Sequence, residues 1–161
     1  MTQYKKVAVG GTFDELHKGH KALLSKAFEV GEKVIIGLTS DVFASKMAKP
    51  HKTACYLERR KELEAFLKNS GLAERAEIVP LKDPIGLTIS GKGLEALVVS
   101  QETAKMAQTI NQKRQKAGLP WLQTVTVDMV QAENDSPIST TRIRSGEIDR
   151  NGHMLNQTNL R

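Results

Sequence analysis

Residues 10–20 combine the features of a loop that binds phosphate groups. They read Gly-Gly-Thr-Phe-Asp-Glu-Leu-His-Lys-Gly-His and follow a short strand-like segment at residues 5–10. The paired glycines, Gly10 and Gly11, allow a tight turn and a close approach of the backbone to a ligand. The loop leads into a predicted helix, whose first N–H groups and dipole favour a bound anion. The segment is therefore a candidate site for phosphate chemistry.

Two histidines, His17 and His20, stand three residues apart at the start of this predicted helix. That spacing turns both side chains toward one side of the first turn, where their imidazoles could donate hydrogen bonds to phosphate oxygens. Two other interpretations stay open. His20 is in register with the apolar positions of the helix and could be a buried core histidine. A zinc site would need two further ligands, for which His51 and Cys55 are the available residues.

Apolar and amphipathic segments alternate along the rest of the chain. Apolar spacing predicts helices at residues 18–30, 56–68, 102–117 and 138–146, with Gly31 ending the first. In the helix at 56–68, Arg59 is predicted on the outer side. Continuous apolar runs predict strands at residues 5–10, 34–38, 76–80, 94–99 and 122–130. This alternation predicts an α/β fold with a five-stranded parallel sheet and helices on both faces.

Composition and charge narrow the class of protein. The chain has 161 residues, of which 39% are hydrophobic and 26% charged, as in one ordinary globular domain. No apolar run approaches the roughly 18 residues of a membrane span, and the amino end lacks the apolar core of a signal peptide. The single cysteine, Cys55, cannot form an internal disulfide, so a cytoplasmic location is expected.

The net charge of +6 favours anionic partners. A nucleic-acid-binding module is therefore a competing class. Against it, the chain has only one Trp, two Tyr and four Phe, and no recognisable nucleic-acid-binding motif. The same charge suits an enzyme with two polyanionic substrates. We expect neither a nucleic acid nor a membrane as partner, and the sequence leaves the oligomeric state open.

A second motif, Ile-Ser-Thr-Thr-Arg-Ile-Arg, occupies residues 138–144. Together with Gly-Thr-Phe-Asp and His-x-Gly-His in the first motif, it resembles the nucleotidyltransferase superfamily of cytidylyl- and adenylyltransferases. The order and separation of the two motifs fit a single Rossmann-like domain. The resemblance covers residues 4–149. We predict a domain at 1–149 and a loose C-terminal tail, rich in Asn and Gln, at 150–161.

A third stretch, Val-Val-Ser-Gln-Glu-Thr at residues 98–103, resembles phosphopantetheine adenylyltransferases of the archaeal and eukaryotic type. This resemblance implies transfer of AMP from ATP to 4′-phosphopantetheine, giving dephospho-CoA and pyrophosphate. It also implies Mg²⁺ bound through the substrate phosphates with few protein ligands, and we name no residue of the chain as a metal ligand. FAD synthetases, cytidylyltransferases and nicotinamide-mononucleotide adenylyltransferases share the first and last motifs and remain alternatives.

The resemblance implies catalytic roles for three residues. Thr12 would donate its hydroxyl to the acceptor phosphate, and His20 would stabilise the triphosphate. Lys46, in a basic loop after the second strand, would clamp both phosphates. Lys49 in the same loop is an alternative clamp, and either lysine could instead be a solvated loop residue.

Other residues are implied in substrate binding. The first loop and helix would contribute Gly10, Gly11, Phe13 and His17. The last motif would contribute Ser139, Thr140, Thr141 and Arg144 to the β- and γ-phosphates, with Arg142 as an alternative to Arg144. Glu102 would lie near the ribose and adenine, and Arg114 could reach the pantetheine phosphate or only solvent. A plain helix cap is the alternative for Ser139 and Thr140.

Overall fold

The computed structural model describes residues 3–46, 53–82, 93–100, 104–128, 143, 150 and 152. Along the chain, its helices and strands are β1 (Tyr4–Gly11), α1 (Lys18–Val30), β2 (Gly31–Thr39), α2 (Asp41–Lys46), α3 (Tyr56–Asn69), β3 (Ala76–Leu81), β4 (Ala96–Ser100), α4 (Ala104–Lys116) and β5 (Gln123–Val127). The helix predicted at 138–146 lies outside the described residues except for residue 143, which is helical. No helix in these described segments is long and apolar enough to cross a membrane.

The five strands of the described segments form one sheet in which every pairing is parallel. Their order across the sheet is β3-β2-β1-β4-β5, which confirms the predicted five-stranded parallel sheet. The direction of chain progression reverses between β1 and β4. The carboxyl ends of these two strands, at Gly11 and Ser100, therefore border the switch point where such sheets bind ligands.

Consecutive residues of the central strands face opposite sides of the sheet, which explains why these strands are apolar at nearly every position. Val9 of β1 belongs to the core cluster that includes Leu24 of α1 and Leu63 of α3. The neighbouring Ala8 belongs to a second cluster with Ile110 of α4. Helices α1 and α3 thus cover one face and α4 the other, as predicted for this Rossmann-like fold.

Helix α1 has the bounds that its apolar spacing predicts, and Gly31 follows it directly. The φ of Gly31 is −117°, so this glycine is not needed for a left-handed turn. A Cβ at this position would lie 2.5 Å from Cγ2 of Val7. The glycine therefore allows the end of α1 and the start of β2 to pack closely against β1.

The segment after β2 differs from its prediction. Residues 41–46 form the short helix α2, and Lys46 is its exposed last residue instead of part of a loop. The Oγ of Ser40 accepts a hydrogen bond from the backbone N–H of Phe43 at 3.1 Å and caps the helix. A helix of six residues is too short to show apolar periodicity, so the spacing of apolar residues could not reveal it.

Arg150, the first residue of the predicted C-terminal tail, contacts the domain. Its guanidinium pairs with Glu15, with Nη2 2.7 Å from Oε2, and with Glu62. Its carbonyl accepts the backbone N–H of Lys18 at 2.9 Å. Two charged partners and a helix-capping contact hold the residue in place. Gly152 is also buried, and the other residues of the predicted tail lie outside the described part of the chain.

Candidate active site

The loop that joins β1 to α1 folds over a buried aromatic ring. Phe13 is 2% exposed and its side chain belongs to the core beneath the loop. Its φ of +50° places it in the left-handed region that side chains rarely adopt. A Cβ on Gly11 would lie 3.2 Å from this ring, so the glycine allows the ring to lie close under the end of β1. Phe13 therefore shapes the loop, and only its backbone is available to a ligand.

His17 and His20 cap the start of α1 reciprocally. Nδ1 of His17 accepts hydrogen bonds from the backbone N–H groups of Gly19 at 3.0 Å and His20 at 3.3 Å. Nδ1 of His20 accepts the backbone N–H of His17 at 3.2 Å. This is a capping box in which two imidazoles replace the usual hydroxyl and carboxylate. Because an accepting Nδ1 carries no proton, each ring in this arrangement carries its proton on Nε2, which can donate to a phosphate oxygen.

The two imidazole rings also stack, with centroids 3.7 Å apart and planes inclined by 20°. The edge of the Phe13 ring packs against His20 at 5.3 Å between centroids. His17 is buried, whereas His20 is partly exposed. His20 is therefore not a fully buried core residue, although its ring packs against the core residue Phe13.

A zinc site built on the two histidines gains no support from this geometry. Both Nδ1 atoms are already bonded to backbone N–H groups. His51 lies outside the described residues, and Cys55 is exposed. Within the described ranges, no group of three or more His, Cys, Asp or Glu side chains is arranged to hold a metal ion.

The environment of His17 keeps its imidazole neutral. Burial lowers the pKa of His17 from 6.5 to about 4, and the positive charge of Arg150 contributes in the same direction. At pH 7 this residue is therefore an uncharged hydrogen-bond donor. It is suited to orienting a phosphate oxygen and not to neutralising its charge.

Arg59 of α3 is a residue near the site that the sequence interpretation missed. It was predicted on the outer side of its helix, but it is 2% exposed. Its Nη1 donates to the carbonyl of Thr12 at 2.9 Å and to that of Thr39 at 2.7 Å. The signal that could have found it is its spacing: Arg59 stands four residues before the buried Leu63 and so shares that residue's face of the helix.

Two carboxylates attach the start of α3 to the same region. Oδ1 of Asp14 accepts the backbone N–H of Ala54 at 3.2 Å. Oδ1 of Asp41 accepts that of Tyr56 at 2.7 Å. The loop after β1, helix α2 and the start of α3 are therefore tied together beyond the carboxyl ends of β1 and β2.

The structure brings together the predicted site residues of the first motif: Gly10, Gly11, Thr12, Phe13, His17 and His20. Lys46 follows the neighbouring strand β2, at the end of α2. The ends of β1 and β2 approach closely, with Oγ1 of Thr12 3.5 Å from Oγ1 of Thr39. Lys46 and Thr12 are thus placed beyond the same edge of the sheet.

Arg114 is not brought to this edge. It lies near the end of α4, which runs antiparallel to the strands, and its Nε donates to the carbonyl of Pro120 at 2.9 Å. Pro120 precedes β5, so Arg114 lies at the amino-terminal edge of the sheet. A five-residue strand separates this edge from the carboxyl-terminal edge, where Thr12 lies, by about 16 Å. Its side chain is buried instead of facing solvent or a substrate.

The remaining predicted site residues lie outside the described residues: Glu102, Ser139, Thr140, Thr141 and Arg144. The same holds for Lys49 and Arg142, the two alternatives. Their roles stay predictions from the sequence.

A nucleotidyltransferase is the class that this fold and site define: a parallel sheet whose switch point carries a glycine loop and a histidine-capped helix start. Residues 8–146 match the cytidylyltransferase-like family. The chain is 46% identical over 153 residues to a phosphopantetheine adenylyltransferase of Methanothermobacter thermautotrophicus, covering 95% of this chain and 91% of that protein. It is 43% identical over 155 residues to the phosphopantetheine adenylyltransferase of Pyrococcus abyssi, with coverages of 96% and 98%.

A solved structure is also similar. The crystal structure of a protein of unknown function from Archaeoglobus fulgidus superposes with a TM-score of 0.69 and is 33% identical, covering 94% of this chain and 99% of that one. With relatives of this identity and near-complete coverage, the chain belongs to the phosphopantetheine adenylyltransferases within the cytidylyltransferase-like family.

Proposed function

We propose that this protein transfers AMP from ATP to 4′-phosphopantetheine, giving dephospho-CoA and pyrophosphate in coenzyme A biosynthesis. The observation that carries the proposal is the histidine-capped start of α1 beside the glycine loop, at the switch point of the sheet. The relatives named above favour this reaction over the alternatives, FAD synthesis, cytidylyl transfer and adenylyl transfer to nicotinamide mononucleotide. We also expect the enzyme to act in the cytoplasm, with neither nucleic acid nor membrane as a partner.

The chemistry needs no general base from the protein. A phosphate oxygen of phosphopantetheine attacks the α-phosphorus of ATP, and the bond from that phosphorus to pyrophosphate breaks. Because the second pKa of a phosphate monoester is about 6, the acceptor is mostly a dianion at pH 7. The main obstacle is repulsion between two anions. Catalysis therefore depends on positioning and electrostatic stabilisation, which a site built from hydrogen-bond donors supplies.

Four residues that the structure describes would share the positioning and electrostatic stabilisation of the phosphates. The Nε2–H groups of His17 and His20 donate to triphosphate oxygens, and the hydroxyl of Thr12 donates to the acceptor phosphate. Lys46 neutralises charge between the attacking and attacked phosphates. We expect ATP to enter as its Mg²⁺ complex, since Mg²⁺ would be held largely by the substrate phosphates and few protein ligands and would offset part of their negative charge.

The residues outside the described ranges complete the proposed site. Ser139, Thr140, Thr141 and Arg144 bind the β- and γ-phosphates, and Glu102 lies near the nucleoside. Arg114 is left out of the proposed site, because it is buried at the opposite edge of the sheet.

A pyrophosphate-release assay tests the proposal. We expect release with ATP and 4′-phosphopantetheine together, and no comparable release when FMN, nicotinamide mononucleotide or, with CTP, glycerol 3-phosphate replaces phosphopantetheine. Faster release with any of these acceptors would replace the proposed reaction with the corresponding one. A thermal-shift series with the same ligands separates binding from turnover.

A further inference from the structure

We propose that Arg59 is a positioning residue for adenylyl transfer, holding the Thr12 loop and the Lys46 helix in one arrangement without touching a substrate. This inference rests on the proposed function for the roles of Thr12 and Lys46. The guanidinium lies behind the site, 2% exposed, on the helix α3 that covers this face of the sheet.

One nitrogen atom joins the ends of two neighbouring strands. Nη1 of Arg59 donates to the carbonyl of Thr12, just after β1, and to that of Thr39, the last residue of β2. The separation of these carbonyls is therefore set by two hydrogen bonds to the same atom. Thr12 is the residue to which we assign the acceptor phosphate, so Arg59 controls where that hydroxyl lies.

The other two guanidinium nitrogens, Nη2 and Nε, bond to α2 and to the segment just before α3. Nη2 lies 3.1 Å from Oδ1 of Asp41, the first residue of the helix that ends at Lys46. Nε donates to the carbonyl of Ala54 at 2.8 Å. Arg59 thus connects the Thr12 loop with α2 directly, through contacts that span 47 and 18 residues of the chain.

The geometry requires a guanidinium and not merely a positive charge. A planar fork of N–H donors can bond four acceptors in fixed directions, whereas an ammonium offers three donors on a flexible stem. Most partners of Arg59 are backbone carbonyls, and truncation of the side chain would leave the buried carbonyl of Thr39 without this donor. Loss of Arg59 should therefore shift the two strand ends as well as lower stability.

Kinetics of two variants and one control test the proposal. Arg59→Lys and Arg59→Met are compared with Arg60→Met, because Arg60 is the next residue and its guanidinium lies on the surface with Glu64 at 2.8 Å and Tyr56 at 3.1 Å. A displacement of about 1 Å in a reacting group costs up to about 100-fold in rate. We expect kcat to fall by about 10- to 100-fold in both Arg59 variants, with KM for ATP within about threefold, and no change in Arg60→Met.

A second readout separates positioning from stability. Methyl NMR of the ligand-free protein should show shifted Thr12 and Thr39 γ-methyl resonances in Arg59→Lys, at a temperature where circular dichroism shows the variant folded. A folded Arg59→Lys with wild-type kcat and unshifted methyl resonances would overturn the proposal and leave Arg59 a stabilising residue only. If neither variant folds, Asp41→Ala decides, because it removes the Oδ1 atom that accepts from Arg59 and from Tyr56, and Asp41→Asn, which keeps an acceptor there, is its matched control. An unchanged kcat in Asp41→Ala would then overturn the proposal.

The two readouts also separate failure of this inference from failure of the proposed function. If the wild-type enzyme releases no pyrophosphate with phosphopantetheine, the proposed function fails, and the methyl resonances still decide whether Arg59 sets the Thr12 loop. If the wild type is active but the methyl resonances and kcat of the Arg59 variants match it, only the positioning role fails.

Discussion

His17 and His20 each accept the other's backbone N–H through Nδ1, so the two side chains cap the first turn of α1 reciprocally. This exchange satisfies N–H groups that a helix start otherwise leaves without a partner. It also orients both Nε2–H groups as donors. The same contacts therefore stabilise the helix and suit the phosphate-binding role that we propose for both residues.

Replacing His20 should separate these two effects. His20→Gln keeps a side-chain acceptor of the kind common at this capping position, but it removes the imidazole Nε2–H. We expect the melting temperature to change little and turnover to fall by roughly two to three orders of magnitude, as for the loss of one donor to a developing charge. His20→Ala removes the capping acceptor as well as the Nε2–H donor, so it should lower both the melting temperature and the turnover. Measured kcat and thermal unfolding of the two variants check this. Wild-type turnover in His20→Gln would remove His20 from the catalytic residues.

His17 should make the fold sensitive to acid. Because its pKa is lowered to about 4 in the folded protein, the unfolded chain takes up a proton below pH 6.5 while the folded protein does not. Its contribution to stability is thus complete above pH 6.5 and is lost as the pH falls toward 4. The loss should reach about 3 kcal/mol near pH 4. Urea unfolding at pH 7 and pH 4.5 measures it.

His17→Asn is the matched control for that experiment. Asn is a favoured helix cap and does not titrate in this range, so the pH-dependent difference should shrink in the variant while the helix stays capped. An equal loss of stability between pH 7 and pH 4.5 in both proteins would show that other groups cause the acid sensitivity.

Local patterns predicted much of the fold. Helix α1 was placed correctly because thirteen residues with regular apolar spacing give a strong signal. The central strands were recognised because burial on both faces makes them continuously apolar. Helix α2 was not predicted, because it is too short to show apolar periodicity and its only local signal is the capping residue Ser40. The reciprocal histidine cap has the spacing of an ordinary capping box, and it was missed because histidine is unusual in that role.

The missed contacts are those that join distant parts of the chain. Arg59 bonds to Thr12 across 47 residues, and Arg150 bonds to Glu15 across 135. No local spacing encodes such pairs, because they depend on how helices pack against the sheet. Motif resemblance supplied the residues of the first loop, whereas the residues that hold that loop in place became visible only in the folded structure.

The rate should depend on pH through the substrate. If the acceptor phosphate is its own nucleophile, turnover rises as that phosphate loses its second proton near pH 6 and then levels off. His17 contributes no step in this range, since it is already neutral well above pH 4. Single-turnover rates from pH 5.5 to 9 check this. A rate that climbs tenfold per pH unit between 7 and 9 would require a general base in the enzyme.

Lys46 should matter for turnover more than for ATP affinity. A cation between the attacking and attacked phosphates offsets a repulsion that grows as they approach, so its effect strengthens along the reaction path. We expect Lys46→Ala to reduce the single-turnover rate strongly while the dissociation constant for ATP changes by only a few fold. Lys46→Arg should restore the rate incompletely, because a planar fork cannot replace a compact ammonium between two phosphates.

Two further lysine variants make the assignment of the clamp decisive. Lys68→Ala, an exposed lysine in the last turn of α3, is the control and should leave the rate unchanged. Lys49→Ala should be milder than Lys46→Ala, because Lys46 is held at the end of a capped helix that also contacts Arg59 through Asp41. A normal rate in Lys46→Ala beside a severe loss in Lys49→Ala would move the clamp three residues along the chain. Normal rates in both would show that this segment does not clamp the phosphates. If the lysines only attract ATP by their charge, the Ala variants of Lys46, Lys49 and Lys68 should show an equal, salt-dependent decrease in the rate of ATP association.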